Sequence, residues 1–469
     1  MSQSRRQFLK TTGTLLAAQT ALSLCPQSFA GEESKKRPNI LFFFPDQHRY
    51  DWIGATPTIP VHTPNLDALG LRGVRFSRAY CPSPLCAPSR ACIAAGKEYD
   101  HCRVPSNRED YPLDQTTFYT LLRDSGYHVA GCGKFDLHKG SPTWGLDGKH
   151  RLEEWGFSDG IDNAGKWDAI NSGAKEPKDP YMHYLRQQEL LSVHVEDFNT
   201  RRGKDNYCNT APTLLAEEAY CDNWVGKNGL KLIRQSPKGK PWFLQVNFTG
   251  PHSPMDITQR MDAICRDRDF LPPNRNSEYD EKIHNAIRQN YSAMIENIDR
   301  WLGLYIEELI QRGELENTLI VFSSDHGEML GDHNLWGKSK PHEASVGVPL
   351  VLAGPQIKRG LVSNALVSAM DLTATFLEYA EIPIPQTMDS RSLCPILHGK
   401  TEKHRDVLLS GLGNWRVAFD GEHKLVTGYG KNGEDMLFDM TKDRLENENS
   451  AAKASEKVKT LKETMLKPF

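Results

Sequence analysis

Asn39 to Phe44 reads Asn-Ile-Leu-Phe-Phe-Phe, an unbroken apolar run closed by Pro38 and Pro45. A run so short and so uniform has no polar side to offer water. It predicts a strand buried on both faces, which needs neighbouring strands beside it and cover above and below. Tyr127 to Gly131, Trp242 to Phe248, Leu319 to Phe322 and Val348 to Leu352 are runs of the same kind. Helical stretches fall between them. Thr63-Pro64 opens one, with Thr63 as N-cap and proline at the first helical position. Asp114 to Ser125 reads as another, and Tyr291 to Arg312 carries apolar residues at helical spacing (Met294, Ile298, Trp301, Leu302, Tyr305, Ile306, Leu309). Strands alternating with helices give an α/β class, a large mostly parallel sheet sandwiched by helices.

The texture changes after about Pro385. Arg416 to Phe419, Lys424 to Thr427 and Met436 to Met440 are short strands divided by Gly, Asp and Asn turns, and a charged helix over Ala451 to Met465 follows. This predicts a smaller C-terminal α+β subdomain of short antiparallel strands. Asp147 to Gly226 is polar and irregular, and is expected to be a long insertion that shapes a substrate site. The expected division is 1–30 leader, 31–384 catalytic domain and 385–469 subdomain. With 38% hydrophobic residues among 469, the chain is too apolar for a disordered protein. A formal charge of -3 supplies no basic field for nucleic acid.

The leader is read from Arg5-Arg6, followed by Phe8-Leu9-Lys10, a moderately apolar stretch from Thr14 to Leu24, and Ser28-Phe29-Ala30. The apolar stretch is too short to span a bilayer, and its end has the small residues a signal peptidase reads. The pattern resembles a twin-arginine export signal. It implies the twin-arginine machinery as a partner, a periplasmic or secreted product, and no membrane attachment after cleavage. A lipoprotein anchor on Cys25 fits poorly with Leu22-Ser23-Leu24 before it. Beyond the leader, Cys81, Cys92, Cys102, Cys132, Cys208, Cys221, Cys265 and Cys394 permit disulfides without fixing any pairing.

Two acidic clusters follow predicted strands directly: Asp46-Gln47 after the first, Asp325-His326 after Leu319 to Phe322. Ligand sites of open parallel sheets lie past the carboxyl ends of the strands. Two such clusters could converge on one divalent ion. Their oxygens suit Ca²⁺ or Mg²⁺, while the imidazole of His326 admits Mn²⁺ or Zn²⁺. Each cluster alone would equally serve to cap a helix.

Cys86-Ala87-Pro88-Ser89-Arg90, with Gly96 beyond, carries the reading further. It resembles the signature of the type I, formylglycine-dependent sulfatases of the alkaline phosphatase superfamily, in which the cysteine is oxidised to Cα-formylglycine. Four further blocks follow that family's order: the strand ending in Asp46-Gln47, Gly133-Lys134, Pro251-His252-Ser253-Pro254, and Ser324-Asp325-His326-Gly327-Glu328 with Gly331-Asp332-His333 and Lys338. Leu437 to Met440, with Glu446 and Asn449, resembles the family's closing subdomain. The resemblance implies an exported sulfatase that hydrolyses sulfate monoesters, on a sulfated sugar or oligosaccharide.

It also implies roles. Formylglycine from Cys86 is nucleophile and metal ligand, and Arg90 orients it. Asp46, Gln47, Asp325 and His326 hold the metal, Ca²⁺ ahead of Mn²⁺ or Mg²⁺. Lys134 and Lys338 bind sulfate oxygens. His252 protonates the leaving oxygen, Lys338 sharing that task, and His138 supports the nucleophile. A formylglycine-generating enzyme is implied as a partner in maturation. The chemistry is coherent: a sulfate ester is anionic, so cations must neutralise its oxygens and an acid must meet the leaving alcohol. Pro88 and the small residues after it suggest a helix beginning beside Cys86, its amides facing the anion.

The chain departs from the pattern in places. Ala95 stands where Thr is usual before the signature glycine. The family's histidine lies two or three residues past the Gly-Lys lysine, whereas Phe135-Asp136-Leu137 intervene before His138. Gln47 and His326 replace Asp and Asn of some members. His101, His333 and His342 carry no assigned role. Two other functions stay open on these residues: a phosphonate monoester or phosphodiester hydrolase of the same superfamily, and an inactive carbohydrate-binding relative.

Overall fold

The computed structural model describes residues 36–203, 206–275 and 278–466. The expected leader lies outside them. The apolar runs form strands, in chain order β1 (Asn39–Phe43), β2 (Val74–Phe76), β3 (Ala79–Tyr80), β4 (His128–Gly133), β5 (Asp159–Asp162), β6 (Trp242–Asn247), β7 (Thr318–Phe322), β8 (Leu350–Ala353), β9 (Leu361–Ser363) and β10 (Val367–Ser368). Eight of them make one sheet in the order β5-β4-β6-β1-β7-β8-β2-β9, while β3 pairs with β10. From β5 to β7 all pairs are parallel; β8 runs antiparallel to both β7 and β2. Every residue of β1, β6 and β7 is buried, as unalternating runs require.

Both faces are covered. Ile40, Phe42 and Phe44 of the first run pack on one side, with Phe118, Phe243 and Phe376; Leu41 and Phe43 pack on the other, with Trp301, Leu302 and Tyr305. The second face is held by the 31-residue helix Glu281–Gln311, capped where the Asp280 carboxylate accepts from the Ile283 amide at 2.8 Å. It starts ten residues before its expected beginning, because the polar first turns packed around Ile287 and Arg288 hide their period.

A four-stranded antiparallel sheet follows: β11 (Leu408–Leu412), β12 (Trp415–Phe419), β13 (His423–Thr427) and β14 (Met436–Asp439). β11 is not among the strands expected from the sequence. The closing helix is Ser455–Leu466, preceded by a 3₁₀ turn at Ala451–Lys453. The described residues from Arg37 onward form one compact unit.

Three local expectations need correction. Residues 147–226 are not irregular: they hold β5 and the helices Leu152–Trp155, Lys166–Gly173, Pro180–Gln187, Leu191–Thr200 and Cys221–Gln235. Their apolar positions are sparse but fall on one face, as with Tyr181, Met182 and Leu185. Asp179 caps that helix, accepting from the Met182 amide at 2.9 Å. The helix expected from Asp114 begins at Phe118, where the Thr117 hydroxyl takes the Thr120 amide at 3.0 Å. Helix Pro64–Arg72 does start at Pro64, yet Thr63 does not cap it: its hydroxyl accepts from the Gly54 amide at 2.7 Å.

Candidate active site

Register builds the site. Phe43 pairs with Phe322, so β1 and β7 end level. Three residues beyond each end stand Asp46 and Asp325, which therefore arrive side by side at the carboxyl edge of the sheet. On the other flank Phe43 pairs with Val246, and Gly133 with Asn247. Those strands deliver Lys134, immediately past β4, and the loop carrying His252. That loop is fastened to the first cluster, for the Asp46 amide donates to Phe248 O at 3.2 Å and Gly250 O at 3.1 Å.

Cys86 enters from the side as the first residue of helix Cys86–Ala95. The helix is wholly buried and ends at Gly96 in the left-handed region (φ 64°), where a Cβ would meet Met388 Sδ at 2.9 Å. Ser89 of the signature fixes the second cluster, its hydroxyl donating to Asp325 O at 2.6 Å. One ligand atom each from Asp46, Cys86, Asp325 and His326 lie within 4.8 Å of one another, all buried. The His326 Nε2 is 3.3 Å from Cys86 Sγ and 3.6 Å from Asp46 Oδ1. His326 Nδ1 lies 3.0 Å from Gly327 O and donates to it, which leaves the Nε2 lone pair for the cluster.

Gln47 adjoins this cluster, its backbone N–H donating to Asp325 Oδ1 at 2.9 Å. Its backbone is left-handed (φ 69°), and its amide nitrogen donates to the Glu328 carboxylate. Its Oε1 is buried without a hydrogen-bond partner. Together with the carboxylates of Asp46 and Asp325 and the imidazole of His326, an orphaned amide oxygen would complete a donor set for a divalent cation. These residues could hold Ca²⁺, Mg²⁺ or Mn²⁺; the chemistry of the donors does not single one out.

Cations surround Cys86. Lys338 Nζ is 2.9 Å from Cys86 Sγ. Lys134 is paired with Asp46 and, at 2.9 Å, with Asp136. Arg90 donates through Nε to Asp325 Oδ2 at 2.9 Å and through Nη1 to Lys134 O at 2.6 Å, and its guanidinium lies over the Phe44 ring. Burial works against ionising Asp46, but Lys134 and Lys338, then His252 and His326, hold its carboxyl well below the ordinary range. Burial and Asp46 push the Cys86 thiol up, and Lys134, Lys338 and Lys139 overcome both to bring it to about 7. His252 is held well below the usual imidazole value, by burial first and the Lys338 charge second. Its Nδ1 donates to Ser253 O at 2.5 Å, leaving Nε2 as the uncommitted nitrogen.

Asp46, Gln47, Cys86, Arg90, Lys134, His252, Asp325, His326 and Lys338 are thus brought together. His138 is engaged elsewhere: Nε2 meets Asp162 Oδ2 at 2.8 Å and Nδ1 meets Ser141 O at 3.2 Å, between Trp144 and Trp155. The residue beside Lys134 is Asp136. His333 and His342 stack on each other, ring centres 4.5 Å apart, against the Leu445–Glu446 turn. His101 pairs with Asp389.

Glu328, Asp136 and Lys139 received no role from the sequence. Glu328 is fully buried and takes the Gln47 amide, the Tyr207 hydroxyl at 3.1 Å and the Leu330 and Gly337 amides. Glu328 lies inside a matched block and Asp136 inside the gap before His138. Only packing reveals what they touch. Cys81, Cys92, Cys102, Cys132, Cys221, Cys265 and Cys394 are buried thiols.

This geometry is that of a hydrolase acting on an anionic ester, and comparison with known proteins agrees. Residues 38–382 match the sulfatase family model, and residues 331–468 match the model described as N-sulphoglucosamine sulphohydrolase, C-terminal. The chain belongs to the sulfatase family, in the alkaline phosphatase superfamily, and is a sulfuric ester hydrolase. It is 28% identical to an arylsulfatase of Clostridium perfringens over 92% of this chain and 94% of that one. It is 26% identical to an N-acetylglucosamine-6-O-sulfatase of Bacteroides thetaiotaomicron, over 96% and 89%. The fold is shared with the phosphonate monoester hydrolase of Silicibacter pomeroyi, with a TM-score of 0.77, 22% identity, and 92% and 94% of the two chains covered. No described helix is long and apolar enough to cross a membrane.

Proposed function

We propose that this chain is an exported sulfatase that removes sulfate from a sulfated sugar or oligosaccharide, with formylglycine made from Cys86 as nucleophile and Ca²⁺ as metal. The observation that carries the reading is the buried convergence of Cys86 with Asp46, Asp325 and His326 beneath two lysines and an arginine. Asp46, Gln47, Asp325 and His326 would hold the cation, which supplies positive charge to the nucleophile and the sulfate. Formylglycine would supply, as its hydrate, an oxygen nucleophile that can later expel sulfate by re-forming the aldehyde.

The protein's own residues do the rest. Lys134 and Lys338 neutralise sulfate oxygens and set the sulfur in line with residue 86. Arg90 fixes Asp325 and the Lys134 backbone together, so nucleophile, cation and sulfate share one frame. His252 rests neutral beside Lys338. An incoming sulfate offsets that repulsion and favours the protonated ring, which then meets the leaving oxygen through Nε2. The sugar is suggested by the N-acetylglucosamine-6-O-sulfatase relative and by the polar segment 147–226. A twin-arginine route carries folded proteins, so maturation of Cys86 and metal loading would precede export.

Mass measurement of the tryptic peptide containing Cys86, from protein made in its native host, tests the nucleophile. The formylglycine peptide is lighter than the cysteine peptide, and an unmodified peptide from active protein would defeat the reading. Side-by-side turnover of aryl sulfate and aryl phosphonate esters tests the reaction; a strong phosphonate preference replaces sulfatase by phosphonate hydrolase. Desulfation of a panel of sulfated mono- and oligosaccharides tests the substrate class.

A further inference from the structure

Asp136 occupies the neighbourhood of Lys134 that the sulfatase pattern gives to a histidine. Its side chain is 1% exposed, and its Oδ2 receives two ammonium groups, Lys134 at 2.9 Å and Lys139 at 2.7 Å. Lys139 continues to Asp168 at 2.8 Å, whose side chain is 31% exposed. Asp46, Lys134, Asp136, Lys139 and Asp168 therefore form a ladder of alternating charge from the candidate metal centre to the surface. Asp136 Oδ1 is buried with no partner, so the carboxylate is spent entirely on the two lysines. Its backbone is in the left-handed region (φ 54°), a conformation held at some cost.

We propose that Asp136 and Lys139 are positioning residues for Lys134. They fix where its ammonium meets the sulfate of the substrate. The proposal rests on reading Lys134 as a sulfate-binding cation. A carboxylate facing Lys134 alone would compete with sulfate for the same ammonium. A second ammonium on the same oxygen shares that negative charge, so Asp136 can orient Lys134 without neutralising it. Clamped between Asp46 and Asp136, the ammonium has little freedom left to lose when substrate arrives.

Titration of inorganic sulfate into the mature, calcium-loaded enzyme tests this, in parallel with KM and kcat for an aryl sulfate. A carboxylate that merely adds negative charge predicts that Asp136→Asn tightens sulfate. Positioning predicts the opposite, about tenfold weaker sulfate and a raised KM with kcat changed much less. Lys139→Gln, on a side chain 11% exposed, should also weaken sulfate, because Asp136 then holds Lys134 alone. Each effect should vanish in a Lys134→Ala background, where there is no ammonium to position. Tighter or unchanged sulfate in both single variants overturns the proposal. So does an effect of Asp136→Asn, or of Lys139→Gln if the former fails to fold, that persists unchanged without Lys134. If Lys134→Ala itself leaves sulfate binding and turnover at the parent level, the sulfate-binding role of Lys134 is what fails.

Discussion

The side-chain amide of Gln47 has two ends, and the carboxylate opposite decides which one is left free for the proposed cation. Glu328 can only accept, so it takes Nε2 and turns Oε1 toward the interior. Glu328→Gln should let the amide rotate and weaken binding of the proposed Ca²⁺ about 10- to 100-fold, read by competition with a chelator, with far-UV circular dichroism unchanged. Cys86→Ala and Asp325→Ala should each abolish turnover while leaving the fold intact, as thermal melts would check; substantial activity in Cys86→Ala refutes the nucleophile. The block Ser324 to Glu328 is legible in sequence because its residue types are chemically unusual together. The Gln47–Glu328 contact spans 281 positions and is invisible there, because nothing local distinguishes a carboxylate that orients an amide from one that faces water.

Helix Lys166–Gly173 belongs to the stretch whose sequence looked irregular, yet it approaches the site. A Cβ on Gly165, just before it, would sit 2.8 Å from Lys134 Cε and 3.0 Å from Asp168 Oδ2. Gly165→Ala should displace the lysine stem, raising KM for an aryl sulfate more than it lowers kcat. Charge ties the C-terminal sheet to the short helix Glu343–Val346 that precedes β8. Lys424, fully buried on β13, pairs with Glu446 at 2.5 Å, and Glu446 also accepts from the Glu343 amide at 2.7 Å. Burial opposes ionisation of Glu446, but Lys424 and His342 bring it from 4.5 to about 2. A depressed carboxyl contributes stability above its unfolded value and loses it as pH falls through the folded one. Glu446→Gln should therefore cost on the order of 3 kcal/mol at pH 7 and much less at pH 3, measured by urea unfolding. These strands were largely readable from their turns. β11 is not legible because Leu408, Ser410 and Leu412 face one side and Leu409 and Gly411 the other, with no clean apolar–polar alternation and no flanking proline.

Across the whole molecule, a formal charge of -3 coexists with a site crowded by Arg90, Lys134, Lys139 and Lys338. Net charge reports the average surface, whereas an anion meets the local cluster. Acid tolerance is likewise decided inside. His194, packed against Phe198 and Tyr181, is held down to about 4, by burial first. The unfolded chain takes up that proton from about pH 6.5 downward while the folded chain refuses it, so stability falls between pH 6.5 and 4. The loss from this group is on the order of 3 kcal/mol. His194→Phe should flatten that limb of the melting temperature against pH; an unchanged slope would show that His194 does not set it.

By itself the sequence determined the α/β alternation, the buried central strands and the ordered blocks holding Asp46, Cys86, Lys134, His252, Asp325 and Lys338. Unbroken apolar runs can only be buried, and strand ends in a parallel sheet point their loops to one edge. Tertiary structure alone decided which neighbours those residues keep: His138 turned to Asp162, Asp136 set between two lysines, Glu328 aiming Gln47. Asp136 is near both lysines in the chain, and there the folded backbone, left-handed at Asp136, turns one carboxylate oxygen to both. The other two contacts come from the register of β4 with β5 and of β1 with β7, which places residues far apart in the chain at hydrogen-bond distance. Local sequence carries no record of that distance.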